Sequence, residues 1–382
     1  MVRACGALAL LVFSSCILQK ASTYRFDGQV PTDADGFSNA LYQAVGAKLM
    51  PGNSIEEANN GAVFDMLAED LKNAKHSIDI VVFIWRAGEP GDRLVPIITE
   101  RVRAGVECRI IVDAMASNGF AERVEPALIG AGCQTRLARD SVTLARNHRK
   151  IFVIDGRIAY TGGVGIAREW LGDGMKESEW RDTNVRIRGP VVEQLERAFA
   201  QNWVEEAGSL VPRSHFPELE KAGDALAAFV SSEGGQNVTD AERVTHLVIA
   251  AAKKRVWIGN AYFQPSPGLK ELIKQKRLQG VEIRFMGPSD RTDHPEILFM
   301  QRKHYQSLLE VGVRVCEYQP AMYHAKVIIV DDHISVVGSI NLDKFSQDLL
   351  DEGTLVVFDE GFTKKLDAAW REDEKSCSEV LP

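Results

Sequence analysis

The chain has 382 residues, 45% hydrophobic and 26% charged, proportions that exclude a disordered segment, a collagen or a coiled coil. At roughly 150 residues per domain, this length predicts two domains or one large one. With 45 Lys and Arg against 53 Asp and Glu the net charge is −8, so the chain has no global attraction for nucleic-acid phosphates. Any phosphate chemistry must rest on a few local cations.

In chain order, Arg3 precedes an apolar run from Ala4 to Leu18, and polar sequence begins at Gln19. The run is short of the roughly 20 residues that span a bilayer but fits a signal-peptide core, so residues 1–22 are expected to form a signal peptide or lipoprotein leader. Phe13-Ser14-Ser15-Cys16 resembles a bacterial lipobox, and cleavage near Ala21-Ser22 competes with it. Either reading exports the protein, to a periplasm or to a lipid anchor on Cys16. Residues 23–50 read as an N-terminal extension, 51–207 as a first α/β half, 208–240 as a connection, 241–376 as a second half and 377–382 as a tail. The connection is marked by Pro212, Pro217, Gly223, Gly234 and Gly235, with one strand available around Ala227. Asn237-Val-Thr239 is a glycosylation sequon relevant only to a eukaryotic secretory cell.

The division into halves comes from an internal repeat. An amphipathic helix with Phe64, Leu67 and Leu71 on one face precedes a strand beginning near Lys75; a helix with Val244, Leu247 and Val248 precedes another near Lys253. GVECRIIV from Gly105 recurs as GVEIRFM from Gly280, and NHRKIFVIDGRIAYTGG from Asn147 as YHAKVIIVDDHISVVGS from Tyr323. Three blocks in one order, each shifted by nearly the same distance, indicate two similar halves rather than a solenoid. Helical patterns alternating with Val- and Ile-rich strands predict mainly parallel sheets built from βαβ units. No CxxC pair occurs, so neither a zinc ribbon nor a thioredoxin motif is available. Cys108 and Cys133 fit small buried hydrophobes or, in an exported protein, a disulfide; the sequence leaves pairing among Cys108, Cys133, Cys316 and Cys377 open.

The chemistry lies in the third block. His148 and Lys150 are followed by Asp155, and His324 and Lys326 by Asp331. Residues two apart on a strand share a face, so each His lies beside its Lys. Asp155-Gly156 predicts a two-residue hairpin, and the turns Gly162-Gly163 and Gly338-Ser339-Ile340-Asn341 can bring backbone N–H groups near an anion. Two His and two Lys in one pocket would repel unless something anionic binds, and a phosphodiester fits. One imidazole attacks phosphorus and the other protonates the departing alkoxide, while the lysines neutralise the non-bridging oxygens. That scheme requires no metal and no cofactor.

The pattern H-x-K-x(4)-D-x(6)-G-S/G, present twice, resembles that of the phospholipase D superfamily over most of residues 55–358. HRKIFVIDGRIAYTGG, EWRDTNVRIRGP, GNAYFQP, HYQSLLEVGVRVCEY and HAKVIIVDD with VGSINLD resemble its bacterial cardiolipin synthase branch. The resemblance implies a two-lobed α/β monomer with one shared site and a covalent phosphatidyl-histidine. His148 would be the nucleophile and His324 the general acid/base. Lys150, Lys326, Ser339 and Asn341 would hold phosphate, and the downstream acids Asp182 and Glu352 would each orient a catalytic His. Asp155 and Asp331 belong to the motif set with a structural part at the turn. Gly163 stands where the superfamily has Ser, as in this branch, and Gly165 where Asn is usual, which removes a polar contact.

Gly162-Gly-Val-Gly165 lacks the third glycine of a dinucleotide loop, and no G-x-S-x-G elbow occurs. His294 and His304 are candidates for the substrate cleft, against ordinary surface positions. The expected partner is a phospholipid at a membrane surface, with no obligate nucleic acid. Transfer, making cardiolipin or a related lipid, leads this reading; a phospholipase D hydrolysing to phosphatidic acid shares every catalytic group. A nuclease and a non-catalytic headgroup binder follow.

Overall fold

The computed structural model describes residues 24–138, 146–235 and 238–381. The leader and Asn237 lie outside them. Strands of the first half are β1 (Met50–Glu57), β2 (Ser77–Val82), β3 (Glu107–Asp113), β4 (Gln134–Ala138), β5 (Arg146–Asn147), β6 (Ile151–Ile154), β7 (Ile158–Gly162), β8 (Trp180–Arg181) and β9 (Asn184–Arg188). Those that follow are β10 (Ala225–Ser232), β11 (Arg255–Gly259), β12 (Glu282–Pro288), β13 (Arg314–Tyr318), β14 (Met322–Tyr323), β15 (Val327–Val330), β16 (Ile334–Gly338), β17 (Leu350–Phe358) and β18 (Cys377–Val380).

One continuous sheet crosses the molecule in the order β4-β3-β2-β6-β7-β9-β1-β10-β17-β16-β15-β11-β12-β13-β18. Read outward from the β1–β10 seam, the two sides have the same order, with β18 added at one edge. The α/β class holds, but the sheets are not mainly parallel. Along this path parallel pairing is confined to β2-β3-β4 and β11-β12-β13, where helical crossovers return the chain; off it, the two-residue strands β5 and β14 pair in parallel with β17 and β8. From β2 and β11 inward to the seam every neighbour is antiparallel, because each motif is carried on a hairpin, β6–β7 or β15–β16.

Helices cover both faces. The helix Ala62–Lys72 buries Phe64, Leu67 and Leu71, and Asp240–Ala251, capped by the Thr239 hydroxyl, buries Val244, Leu247 and Val248, as the apolar periodicity requires. On one face a single core runs across both halves, with Trp203 and Phe199 from one side and Trp257, Phe362 and Trp370 from the other. The opposite face has a separate core for each half.

Three sequence boundaries change. The N-terminal extension contains the helix Ala34–Val45, whose Phe37 and Leu41 enter the core of the second half. The connection supplies β10, a central strand between β1 and β17, because Ala227, Ala228, Phe229 and Val230 bury apolar surface on both faces. The tail contributes β18, antiparallel to β13 and joined to it by a Cys316–Cys377 disulfide; Cys108–Cys133 ties β3 to the start of β4. Both bonds lie in the outer strands of their halves.

Candidate active site

The two catalytic segments are held by the opposite half. His148 follows β5, which pairs in parallel with β17, and its N–H donates to the Asp351 carbonyl at 2.8 Å. His324 follows β14, which pairs in parallel with β8, and its N–H donates to the Arg181 carbonyl at 2.8 Å. Each carbonyl belongs to the residue before an orienting acid. His148 Nδ1 therefore lies 2.9 and 3.1 Å from the oxygens of Glu352, and His324 Nδ1 lies 2.8 Å from Asp182 Oδ2. Each acid reaches a histidine crosswise, in the motif of the other half. With Nδ1–H fixed on a carboxylate, Nε2 is the nitrogen available for chemistry.

Both acids are buried completely and anchored differently. Glu352 accepts hydrogen bonds from the Ser339 and Ser346 hydroxyls, one on each oxygen. Asp182 accepts from Trp170 Nε1 at 2.7 Å and from the Thr183 N–H at 2.8 Å. This difference accounts for the glycines of the first motif. A Cβ at Gly163 would lie 2.3 Å from Asp182 Oδ1, and one at Gly165 would lie 2.8 Å from the Trp170 ring. The first half thus replaces hydroxyl donors with an indole, and the indole fills the space that Asn would need.

The lysines sit beside their histidines. Lys150 Nζ donates to the His148 carbonyl at 2.6 Å; Lys326 Nζ donates to the His324 carbonyl at 2.5 Å and lies 2.9 Å from both ring nitrogens. His148 and Lys150 line a cavity of about 850 Å³ together with His324 and Asn341, whose buried Oδ1 has no hydrogen-bond partner. Ser339, expected on the phosphate, does not line the cavity; its hydroxyl is committed to Glu352. His294 lines the cavity and His304 does not.

Asp155 and Asp331, counted with the catalytic set by motif, lie at the other end of their strands, about 16 Å of extended chain from the lysines. Each occupies the left-handed region, φ 55° and 51°, in a three-residue turn rather than the two-residue hairpin expected. The reason is their carboxylates. Asp155 accepts the N–H groups of Lys75, His76 and Ser77, and Asp331 those of Lys253, Lys254 and Arg255, closing the turn before β2 and β11.

Aromatic rings complete the walls, with little local signal in the sequence to mark them. Phe83 meets His148 edge-on at 4.7 Å and carries Arg146 and Lys150 over its ring. Trp180 and Trp170 flank His324 at 4.7 and 5.3 Å. Trp180 lies in the recognisable segment EWRDTNV and Trp170 ahead of it; what either ring contacts is set by tertiary packing.

Burial and mutual repulsion depress the bases. Burial, then Lys150 and Lys326, holds His148 well below the ordinary imidazole range; burial and Lys326 bring His324 to about 4 despite Asp182. Burial lowers Lys150 strongly and Lys326 to about 8. It pushes the Glu352 carboxyl up to about 7 against the pull of Lys150 and the two hydroxyls. Burial would raise Asp182 as well, but His324 and Lys326 outweigh it and keep it below the usual carboxylate range. Cationic groups that repel one another in one cavity are relieved by an anion.

Known proteins agree with this architecture. The sequence model of the family described as "Cardiolipin synthase, PLD-like domain" matches residues 67–203 and 247–373. A cardiolipin synthase of Geobacillus sp. (strain WCH70) is 32% identical over 84% of this chain and 66% of its own length. Cardiolipin synthase A of Pseudomonas aeruginosa is 32% identical over 90% of this chain and 71% of its own, and a Staphylococcus aureus cardiolipin synthase 31% over 91% and 75%. The chain thus spans about two thirds to three quarters of the length of these relatives. Among solved structures, phosphatidylserine synthase of Haemophilus influenzae Rd KW20 has a TM-score of 0.65 at 14% identity, covering 90% of this chain and 91% of that one. Polyphosphate kinase of Porphyromonas gingivalis has 0.58 at 10%, covering 86% and 48%. These two share the fold. With His148, Lys150 and His324 lining one cavity and Lys326 set against the His324 ring, the chain belongs to the phospholipase D superfamily, in the cardiolipin synthase PLD-like family, and is an enzyme of phosphodiester chemistry.

Proposed function

We propose that the protein is a phosphatidyltransferase of cardiolipin synthase type, working through a phosphatidyl-histidine. The observation that carries this reading is the crosswise pairing of His148 with Glu352 and His324 with Asp182 at one cavity. His148 Nε2 attacks phosphorus, an N–P bond forms, and the P–O bond to the headgroup breaks as its oxygen takes a proton from His324. The acceptor hydroxyl then returns a proton to His324 as its oxygen displaces the imidazole. Glu352 stabilises the cationic ring of the intermediate, and Lys150 and Lys326 offset the phosphoryl charge. Burial and Lys326 favour neutral His324, and an arriving phosphodiester anion favours its protonated form.

A lipid at a membrane surface is supported by the cavity rim, where Met115 and Phe345 are 72% and 41% exposed. Among the described residues no helix is long and apolar enough to cross a membrane. One chain supplies both motifs, so the reading needs no second copy. Two disulfides support maturation in an oxidising compartment, as an exported protein would have. Incubation with phosphatidylglycerol vesicles, followed by lipid mass spectrometry, tests the activity. Cardiolipin with released glycerol is expected; phosphatidic acid alone would assign a hydrolase, and unchanged lipid would overturn both.

A further inference from the structure

The cavity is not electrostatically uniform. Arg146, His148 and Lys150 lie against Phe83 on the first-half side, whereas Asp293 and Asp343 line the second-half side. Both carboxylates act on Lys326, and Asp293 also acts on His324. Tyr262 stands edge-on to His324, ring centroids 6.5 Å apart, and its hydroxyl lies 2.8 Å from both oxygens of Asp293. Asp343 is already engaged, capping the helix Lys344–Leu349 through the Ser346 N–H at 3.0 Å. Asp293 caps no helix; besides Tyr262 it meets His294 Nε2 at 3.7 Å, and part of its side chain is open to the cavity.

We propose that Tyr262 and Asp293 form an acceptor subsite that selects a polyol headgroup, an inference that rests on the transferase reading. The oxygen that leaves and the oxygen that attacks must both meet His324 Nε2, since Nδ1 is held by Asp182. Headgroup and acceptor therefore occupy the His324 side, where Tyr262 and Asp293 are. The Tyr262 proton is spent on Asp293, so the phenolic oxygen is an acceptor and Asp293 keeps unused lone pairs. A vicinal diol presents one hydroxyl to His324 and donates the next to this pair. Water or a simple alcohol satisfies His324 alone. A phosphate in place of that second hydroxyl is repelled from Asp293, and a cationic acceptor would be brought toward the buried Lys326 ammonium. A neutral hydroxyl meets neither penalty.

The test uses the full chain with phosphatidylglycerol vesicles and equimolar 1,2-propanediol, 1-propanol and ethanolamine as competing acceptors. Mass spectrometry reads the three phosphatidyl products from one vessel, so changes in overall rate cancel. The native protein should favour the diol over propanol by about tenfold or more, because a site built to bond a hydroxyl rejects an analogue lacking it. Tyr262→Phe and Asp293→Asn should bring that ratio toward one, whereas a merely structural loss would slow all products equally. A ratio near one in the native protein, a ratio unchanged in both variants, or a preference for ethanolamine would overturn the subsite. No consumption of lipid would overturn the transferase reading and the subsite with it; phosphatidic acid as the sole product would do the same while leaving cleavage intact.

Discussion

Replacing Glu352 with Gln removes a charge and keeps a shape. The carboxylate accepts His148 Nδ1–H at 2.9 Å from a fully buried position. A hydrogen bond to a charged group contributes about 1.5–3 kcal/mol, and a neutral amide would retain about half of it. The larger loss comes when Nε2 bonds phosphorus and the ring turns cationic, because a charge about 4 Å away at an effective dielectric near 20 contributes about 4 kcal/mol. Relaxation of the Ser339 and Ser346 hydroxyls onto the amide recovers part, leaving about 3 kcal/mol, on the order of a hundredfold in kcat/KM. The pH profile provides a second readout. The Glu352 carboxyl ionises at about 7, above its ordinary value, so its useful form is present above that pH and lost below it. Lys326 loses its proton at about 8, so that cation is present below and lost above. The native kcat/KM should rise through about 7 and fall through about 8, and Glu352→Gln should lack the rising limb while keeping the falling one. Glycerol release from phosphatidylglycerol vesicles across the neutral range measures both. A variant within a few-fold of native activity, or one that keeps the limb near 7, would refute the assignment.

His148→Ala and His324→Ala should each abolish most turnover, and the double variant should be little worse, because both serve one reaction; half-activity in each single variant would mean independent sites. A substrate with a nitrophenolate leaving group should still label His148 in His324→Ala, since that oxygen departs without a proton, and acid-quenched peptide mapping would find an adduct on His324 if the roles were reversed. Gly165→Asn should lower stability by about 1–3 kcal/mol in denaturant melts, because its Cβ overlaps the Trp170 ring; adding Trp170→Ser should recover stability. Cys316→Ser should cost about 2–5 kcal/mol and free β18 for proteolysis, checked by melts and limited trypsin digestion.

The motifs were legible because each binds three kinds of information to a short stretch: strand periodicity, a turn, and a His-x-Lys pair. The repeat of the same stretch located both halves and both histidines. What the sequence withheld is set by tertiary pairing. Asp182 and Glu352 were visible as downstream acids, but nothing local says that each reaches across to the other motif, since that depends on β5 meeting β17 and β8 meeting β14. Ser346 and Trp170 carry no motif of their own; their role appears only once a buried carboxylate needs donors. The proportion of parallel pairing was overestimated because βαβ periodicity marks the outer strands strongly, whereas hairpin strands of four residues have little room to show alternation. A strand around Ala227 was legible as β10, but its central place between β1 and β17 was not, because its neighbours come from opposite ends of the chain.

The crosswise acids make the two halves an interlock. A half that has folded alone has its histidine but not the carboxylate that fixes the ring, and its acid has no imidazole to serve. Neither histidine can be primed before the β1–β10 seam closes and brings the opposite half into register. A phosphodiester-cleaving enzyme assembled this way is harmless during its own maturation: a partly folded chain has no primed histidine with which to cut a phosphodiester. The same wiring makes activity a gauge of the seam. A substitution at the Met50–Ala227 pair, far from either histidine in the chain, that slips the register of β1 against β10 would misalign both rings together, silencing the enzyme while each half kept its core.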